Sequence, residues 1–174
     1  LSLRKVAQHA GVSVGTLTYY FKNKQTLIEA TLDALHDRQT QVLTQSLAEL
    51  AAGATLIEQV EKVVRDFYAY HISNRDLLRL RMASMFDRDG LPTQRRRDVL
   101  LPVLRYAGEY AQAQHGMPAL EARFTTQLII YAVARFAVIS PEELMELTGA
   151  STLDEAERAT EEYLVSMARR LLPS

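Results

Sequence analysis

Gly11-Val12-Ser13-Val14-Gly15 is the stretch of this chain whose residue types and spacing come closest to catalysis. G-x-S-x-G is the pattern of a nucleophile elbow, a sharp strand-to-helix turn that exposes a serine for acylation. Such an elbow needs a hydrophobic strand before the serine, a sheet around it, and a histidine–acid pair within reach. The twelve residues before Ser13 read "LSLRKVAQHAGV", with Leu3, Val6 and Ala10 on one helical face and Arg4, Lys5, Gln8 and His9 on the other. No strand-type alternation follows. His9, His36, His71 and His115 each lie in a helical context, and no pattern pairs one of them with Ser13. A catalytic role is therefore not expected, and no residue is assigned one.

A helix-turn-helix accounts for the same letters. Its turn needs a residue free to take positive φ, which Gly11 supplies. Val12 is expected to tuck between the helices. Ser13 is expected to cap the second helix by accepting from an amide of its first turn, with Leu17 and Phe21 following at intervals of four. Gly15 lets the start of that helix approach a phosphate or base edge closely. Val14, Thr18, Tyr19 and Tyr20 are left on an outer face that is small and aromatic, which suits groove contact. Lys24 follows, placed to hold a phosphate. Ser2 is expected to cap the first helix, and Ser2 and Arg4 complete the set expected to face DNA.

The charge distribution agrees. Residues 1–28 hold Arg4, Lys5, Lys22 and Lys24 and no acid, whereas the whole chain carries a net charge of -1. An electropositive head on an acidic body points to a polyanionic partner.

The segment "LRKVAQHAGVSVGTLTYYFKNKQTLIEATL" closely resembles the DNA-binding head of the TetR family of bacterial transcriptional regulators. The resemblance is carried by Val6-Ala7, Ala10 to Ser13, Gly15, Tyr20-Phe21, Lys24 and Leu27, and it covers about residues 2–35. It implies a further helix ahead of this segment, packed across the helix-turn-helix, without which Leu3, Val6 and Leu17 would be short of apolar cover. Thr18 stands where the family often has an aromatic residue. Beyond residue 50 the likeness is one of helix count and order.

The elements that must carry this head read as helix throughout, so the fold class expected is all-α. Residues 1–35 form the head, continuous with a long connecting helix over 25–51, and residues 52–174 form a body. Further helices are expected at 55–73, 75–86, 92–115 (with a kink at Pro102), 119–139, 141–147 and 152–172. Gly and Pro are few (7 and 5), and 48% hydrophobic with 24% charged residues is an ordinary globular balance. There are no cysteines, hence no disulfide or thiolate metal site. No cofactor or metal is expected. The longest apolar run, "LIIYAVARFAVI" (128–139), is too short to span a bilayer and contains Arg135. A cytoplasmic protein without membrane association is expected.

For the body, the resemblance implies a small-molecule pocket and a homodimer interface. Candidates for the pocket wall are Phe67, Tyr70, His71, Met82, Met85, Phe86, Tyr106, Tyr110, Phe124 and Gln127, with an apolar or aromatic effector in view. The last two long helices are expected to form the interface through Tyr131, Ala134, Arg135, Val138, Ala156, Tyr163, Met167 and Leu171. The stretch "LIIYAVARFAV" (128–138) of the first is apolar almost all round, which means burial on two sides. The whole chain then reads as a dimeric, effector-released regulator, of the repressing kind usual in the family, acting on double-stranded palindromic operator DNA. A helical protein-interaction scaffold that does not bind DNA is the alternative.

Overall fold

Every regular element among the described residues is helical. The computed structural model describes residues 2–49, 53–87 and 96–172, without the side chains of 47 and 85–87. The helices are α1 (Leu3–His9), α2 (Val14–Tyr20), α3 (Lys24–Ala48), α4 (Leu56–Ser73), α5 (Arg75–Asp87), α6 (Leu101–His115), α7 (Ala119–Val138), α8 (Pro141–Thr148) and α9 (Leu153–Leu171).

Local chemistry explains most of the boundaries. Thr55 with Glu58 and Thr152 with Glu155 form reciprocal capping boxes at the starts of α4 and α9. Ser140 caps α8, where Pro141 occupies the first position and gives up an amide that has no helical partner anyway. Gly116 ends α6 at φ 67°, a conformation that costs a β-carbon-bearing residue energy. One expectation needs correcting. The chain does not run as a single kinked helix into α6. Residues Arg96–Leu100 make a π-helical turn, and the α-helix begins at Leu101 with Pro102 in its first turn. Proline has no amide to donate, so the regular ladder breaks there and restarts. The expected start at Pro92 lies outside the described residues.

The chain divides into two compact units, Leu1–Gln41 and Val42–Ser174, with the boundary inside α3. In the first unit the buried apolar residues are Ala7, Leu17, Leu32 and Leu35. Leu17 is thus covered, while Leu3 and Val6 are half-buried.

The second unit is built around a core of Val64 and Tyr68 from α4, Leu78 from α5, Val133, Ala134 and Ala137 from α7, and Leu164, Val165 and Ala168 from α9. Ile139, Leu144 and Ala156 seat α8 against α9. Arg75 joins three helices: its Nε donates to the Ala137 carbonyl of α7 at 2.9 Å, and its Nη2 to Glu157 of α9 at 2.7 Å. The end of α3 is tied to α4 in the same unit. Buried Ser46 reaches Asp66 Oδ2 at 2.6 Å, and Lys62 bridges Glu49 at 3.0 Å and Asp66 at 2.9 Å.

Candidate nucleic-acid interface

Two turns of chain present the candidate DNA-facing residues. Ser2 caps α1 by accepting from the Lys5 amide at 3.3 Å. Gly11 takes φ +68°, and the Val12 amide bonds back to the Ala7 carbonyl at 3.0 Å, which closes the turn. Ser13 caps α2, accepting from the Thr16 amide at 2.9 Å, and its Oγ lies 2.8 Å from Thr16 Oγ1. The helix that follows exposes every residue except Leu17. Tyr19 is 83% exposed and its ring meets that of Tyr20 edge-on, with centroids 5.2 Å apart. Thr18 is exposed too, but its hydroxyl donates back to Val14 O at 3.0 Å and Gly15 O at 3.1 Å.

The second turn ends on a reciprocal cap that was not anticipated. Asn23 Oδ1 accepts from the Thr26 amide at 2.9 Å, and the Asn23 amide donates to Thr26 Oγ1 at 3.2 Å. Its sequence signal is Asn-x-x-Thr ahead of an apolar-periodic run, a cap of the kind already read at Ser13. This cap starts α3 at Lys24, so Lys24 is exposed on the first helical residue and not on the loop before it. Arg4, Lys5 and Lys22 stand exposed in the same unit.

One detail departs from expectation and one agrees with it. Val12 is 42% exposed and does not tuck between α1 and α2, because Ala7 and Leu17 already fill that contact. Ser13 is not an elbow serine: the element before it is helix α1, and its Oγ is engaged in starting α2.

Comparison with known proteins bears on this head. Residues 1–31 match the family model described as "Bacterial regulatory proteins, tetR family". The head is similar to that family over these residues. The chain is also 30% identical over 78 residues to a curated protein of Bacillus subtilis (strain 168), "Probable HTH-type transcriptional regulator YttP". That alignment covers 45% of this chain and 37% of the relative's length, so the chain spans well under two thirds of that regulator.

Further along the chain, the body places the expected pocket residues unevenly. Phe67, Tyr70 and His71 come together on α4, with the His71 ring 5.6 Å from each of the other two. His71 is only 3% exposed, so it is an interior histidine, and its Nδ1 lies 2.7 Å from the Phe67 carbonyl. Burial, with the Arg81 charge adding to it, pulls its pKa down to about 4, which keeps the ring neutral at physiological pH. Arg81 itself escaped the sequence reading, because α5 carries three arginines and only packing distinguishes them. Burial lowers its pKa to about 10, against the pull of the Tyr70 and Tyr131 phenols.

Met82, Tyr110 and Gln127 are half-buried, and the side chains of Met85 and Phe86 lie outside the described residues. Tyr106 and Phe124 are corrections: they are 64% and 70% exposed and wall no interior. The reason is the closeness of α6 to α7. A β-carbon added at Gly108 would meet the Ala119 carbonyl and Arg123 Nε at 3.1 Å, and only small or slender residues (Ala111, Met117, Ala122) cluster there. Rings are left on the outside, where Tyr106 stacks on Tyr110 at 5.9 Å. A cleft of about 490 Å³ lies elsewhere, lined by residues 72–77, Arg79 and Pro141, and includes none of the expected pocket residues.

The expected interface residues divide as well. Ala134 and Ala156 are corrections, being 4% and 0% exposed within the single chain. Their small side chains let α4, α8 and α9 close on their own neighbours, which leaves nothing for a partner to touch. Met167 packs against the same core, and Val138 and Leu171 are half-buried. Tyr131, Arg135 and Tyr163 remain exposed, and Arg135 pairs with Glu143 at 3.0 Å. Leu120, Phe124, Leu128 and Tyr131 form an exposed apolar stripe at helical spacing along α7. Leu120, Phe124 and Leu128 were missed as surface residues because large apolar side chains on a long helix read as interior until the packing of its other face is known. Among the described residues, no helix is long and apolar enough to cross a membrane.

Proposed function

We propose that this chain is a transcriptional regulator that binds a palindromic operator as a homodimer, represses, and is released by a small-molecule effector. The observation that carries the proposal is the exposed face of α2, rigidly capped at Ser13 and flanked by Arg4, Lys5, Lys22 and Lys24. The matches to the tetR-family model and to a probable HTH-type regulator support it.

Assembly is supported by the α7 stripe of Leu120, Phe124, Leu128 and Tyr131, together with Tyr163 of α9. Isolated apolar residues on a surface are ordinary, but a continuous stripe marks an interaction face. A two-fold pair of heads would present recognition helices to successive major grooves about 34 Å apart. For the effector, Phe67, Tyr70 and neutral His71 favour an apolar or aromatic molecule. Because α3 belongs to both units, it is the element through which occupancy of the body would reach the head. A ligand can act this way only by preferring the arrangement that does not bind DNA. Operator DNA as partner would place the protein's work in the cytoplasm.

Gel-shift titration against the DNA upstream of its own gene, repeated over a salt series, tests the proposal. The expected result is a dimer-stoichiometric complex whose log K falls by several units per log unit of salt. Salt-independent binding, or none, would sink it.

A further inference from the structure

We infer that α2 reads its half-site through the 5-methyl groups of thymine, packed against Val14, Thr18 and Tyr19, and not through bidentate hydrogen bonds to guanine or adenine. The inference rests on the DNA-binding reading above and specifies the class of sequence bound.

Sequence and geometry both lead there. Guanine is read in the major groove by Arg or Lys on O6 and N7, and adenine by Asn or Gln on N6 and N7. Helix α2, Val14-Gly15-Thr16-Leu17-Thr18-Tyr19-Tyr20, has none of these residues and no acid to accept from cytosine N4. Its hydroxyls are the remaining candidates: Thr18 spends its proton on the helix, the Ser13–Thr16 pair spends one of its two on itself, and the exposed Tyr19 and Tyr20 hydroxyls can add single bonds but not a bidentate pair. Thr18 shares its single proton between the Val14 and Gly15 carbonyls. Ser13 and Thr16 bond each other at 2.8 Å while Ser13 accepts from the Thr16 amide. What these residues turn outward is carbon: the Val14 methyls, the Thr18 methyl one turn later, and the exposed Tyr19 ring. The one apolar mark on the floor of the major groove is the thymine methyl.

Gly15 fits this arrangement. A β-carbon there would meet only Ser13 Oγ, at 3.7 Å, so the fold itself does not require glycine. Its absence of side chain clears the surface beside Val14 and Thr18, which is what methyl contact at van der Waals range demands.

The test uses the full chain. Selection from a randomised duplex pool at low salt defines the half-site. Each thymine is then replaced by uracil, which removes the methyl alone, and each guanine by 7-deazaguanine, which removes the N7 acceptor. At least two thymines per half-site should each cost about fourfold in affinity, the equivalent of a buried methyl group at about 0.8 kcal/mol. The 7-deazaguanine series should stay within about twofold, since no bidentate donor is present to lose its partner. Thr18→Ser, which keeps the hydroxyl and loses the methyl, should erase the uracil penalty at one position, and Thr18→Val should keep that penalty. Uracil-neutral binding with a tenfold 7-deazaguanine loss would overturn the inference while leaving DNA binding intact, as would a Thr18→Val variant that behaves like Thr18→Ser. Failure to select any duplex would overturn the DNA-binding reading and this inference with it.

Discussion

Two helices turn apolar side chains toward the surface, α2 in the head and α7 in the body, and they reach that state by different routes. On α2 the exposed set is Val14, Tyr19 and Tyr20, in a stretch of chain whose charged residues are all basic. One inward residue, Leu17, holds the helix to its unit, and the caps at Ser13 and Asn23 do the rest. On α7 the opposite face supplies Val133, Ala134 and Ala137 to the main core, and the outward stripe is what remains after that burial. A seven-residue helix set by its caps can be displayed almost whole, whereas a twenty-residue helix is anchored by one face and exposes the other. The two surfaces therefore respond differently to substitution.

The sharpest break in this comparison lies within α7 itself. Ala134→Glu should unfold the body, at a cost on the order of 4 kcal/mol or more, because it forces a charge into a filled core. Phe124→Glu, ten residues earlier on the exposed face, should leave far-UV dichroism unchanged and shift sedimentation toward monomer. Equal loss of fold in both would mean the stripe is interior after all.

A second difference is acid sensitivity, which His71 places in the body. Its pKa is lowered from 6.5 to about 4, so unfolding takes up a proton between those values. Stability should be full above about pH 6.5 and fall as pH drops toward 4, by on the order of 3 kcal/mol in urea midpoints converted to free energy. His71→Leu should flatten that slope. A wild-type slope that persists in this variant would assign the effect to other groups.

On α2, stability and function should separate. Gly15→Ala should raise the melting temperature of the head, worth about 1 kcal/mol of helix propensity. Operator affinity should meanwhile fall about tenfold, the equivalent of 1.4 kcal/mol. A stabilised variant that binds normally would remove the close approach at Gly15. The smallest effect is expected at Lys24→Ala: a modest loss common to all sequences, and a salt slope flatter by about one unit.

The head was legible in the sequence because its determinants are local. The turn depends on Gly11, the caps on Ser13 and Asn23 with partners three residues away, and the exposed face on seven consecutive residues. Capping chemistry of the same local kind sets the starts of α4, α8 and α9. The π-helical turn before α6 was not readable, since Pro102 announces a break without specifying the geometry that accommodates it.

In the body, residue type told where carbon was plentiful and not which side of a helix would be covered. Burial is non-directional, so the apolar residues of α7 did not themselves say whether Ala134 or Phe124 would be covered. That choice was made by α4 and α9, about a hundred residues apart in the chain, whose Val64, Tyr68, Leu164 and Ala168 close over one side. The same packing turned His71 and Arg81 inward and left Tyr106 outside, beside a helix pair too tight for a ring. Sequence by itself thus determined the all-α class and the exposed face of α2, both products of contacts within a few residues. Only tertiary structure decided which apolar side chains are core and which are surface, because that depends on partners the local chain cannot see.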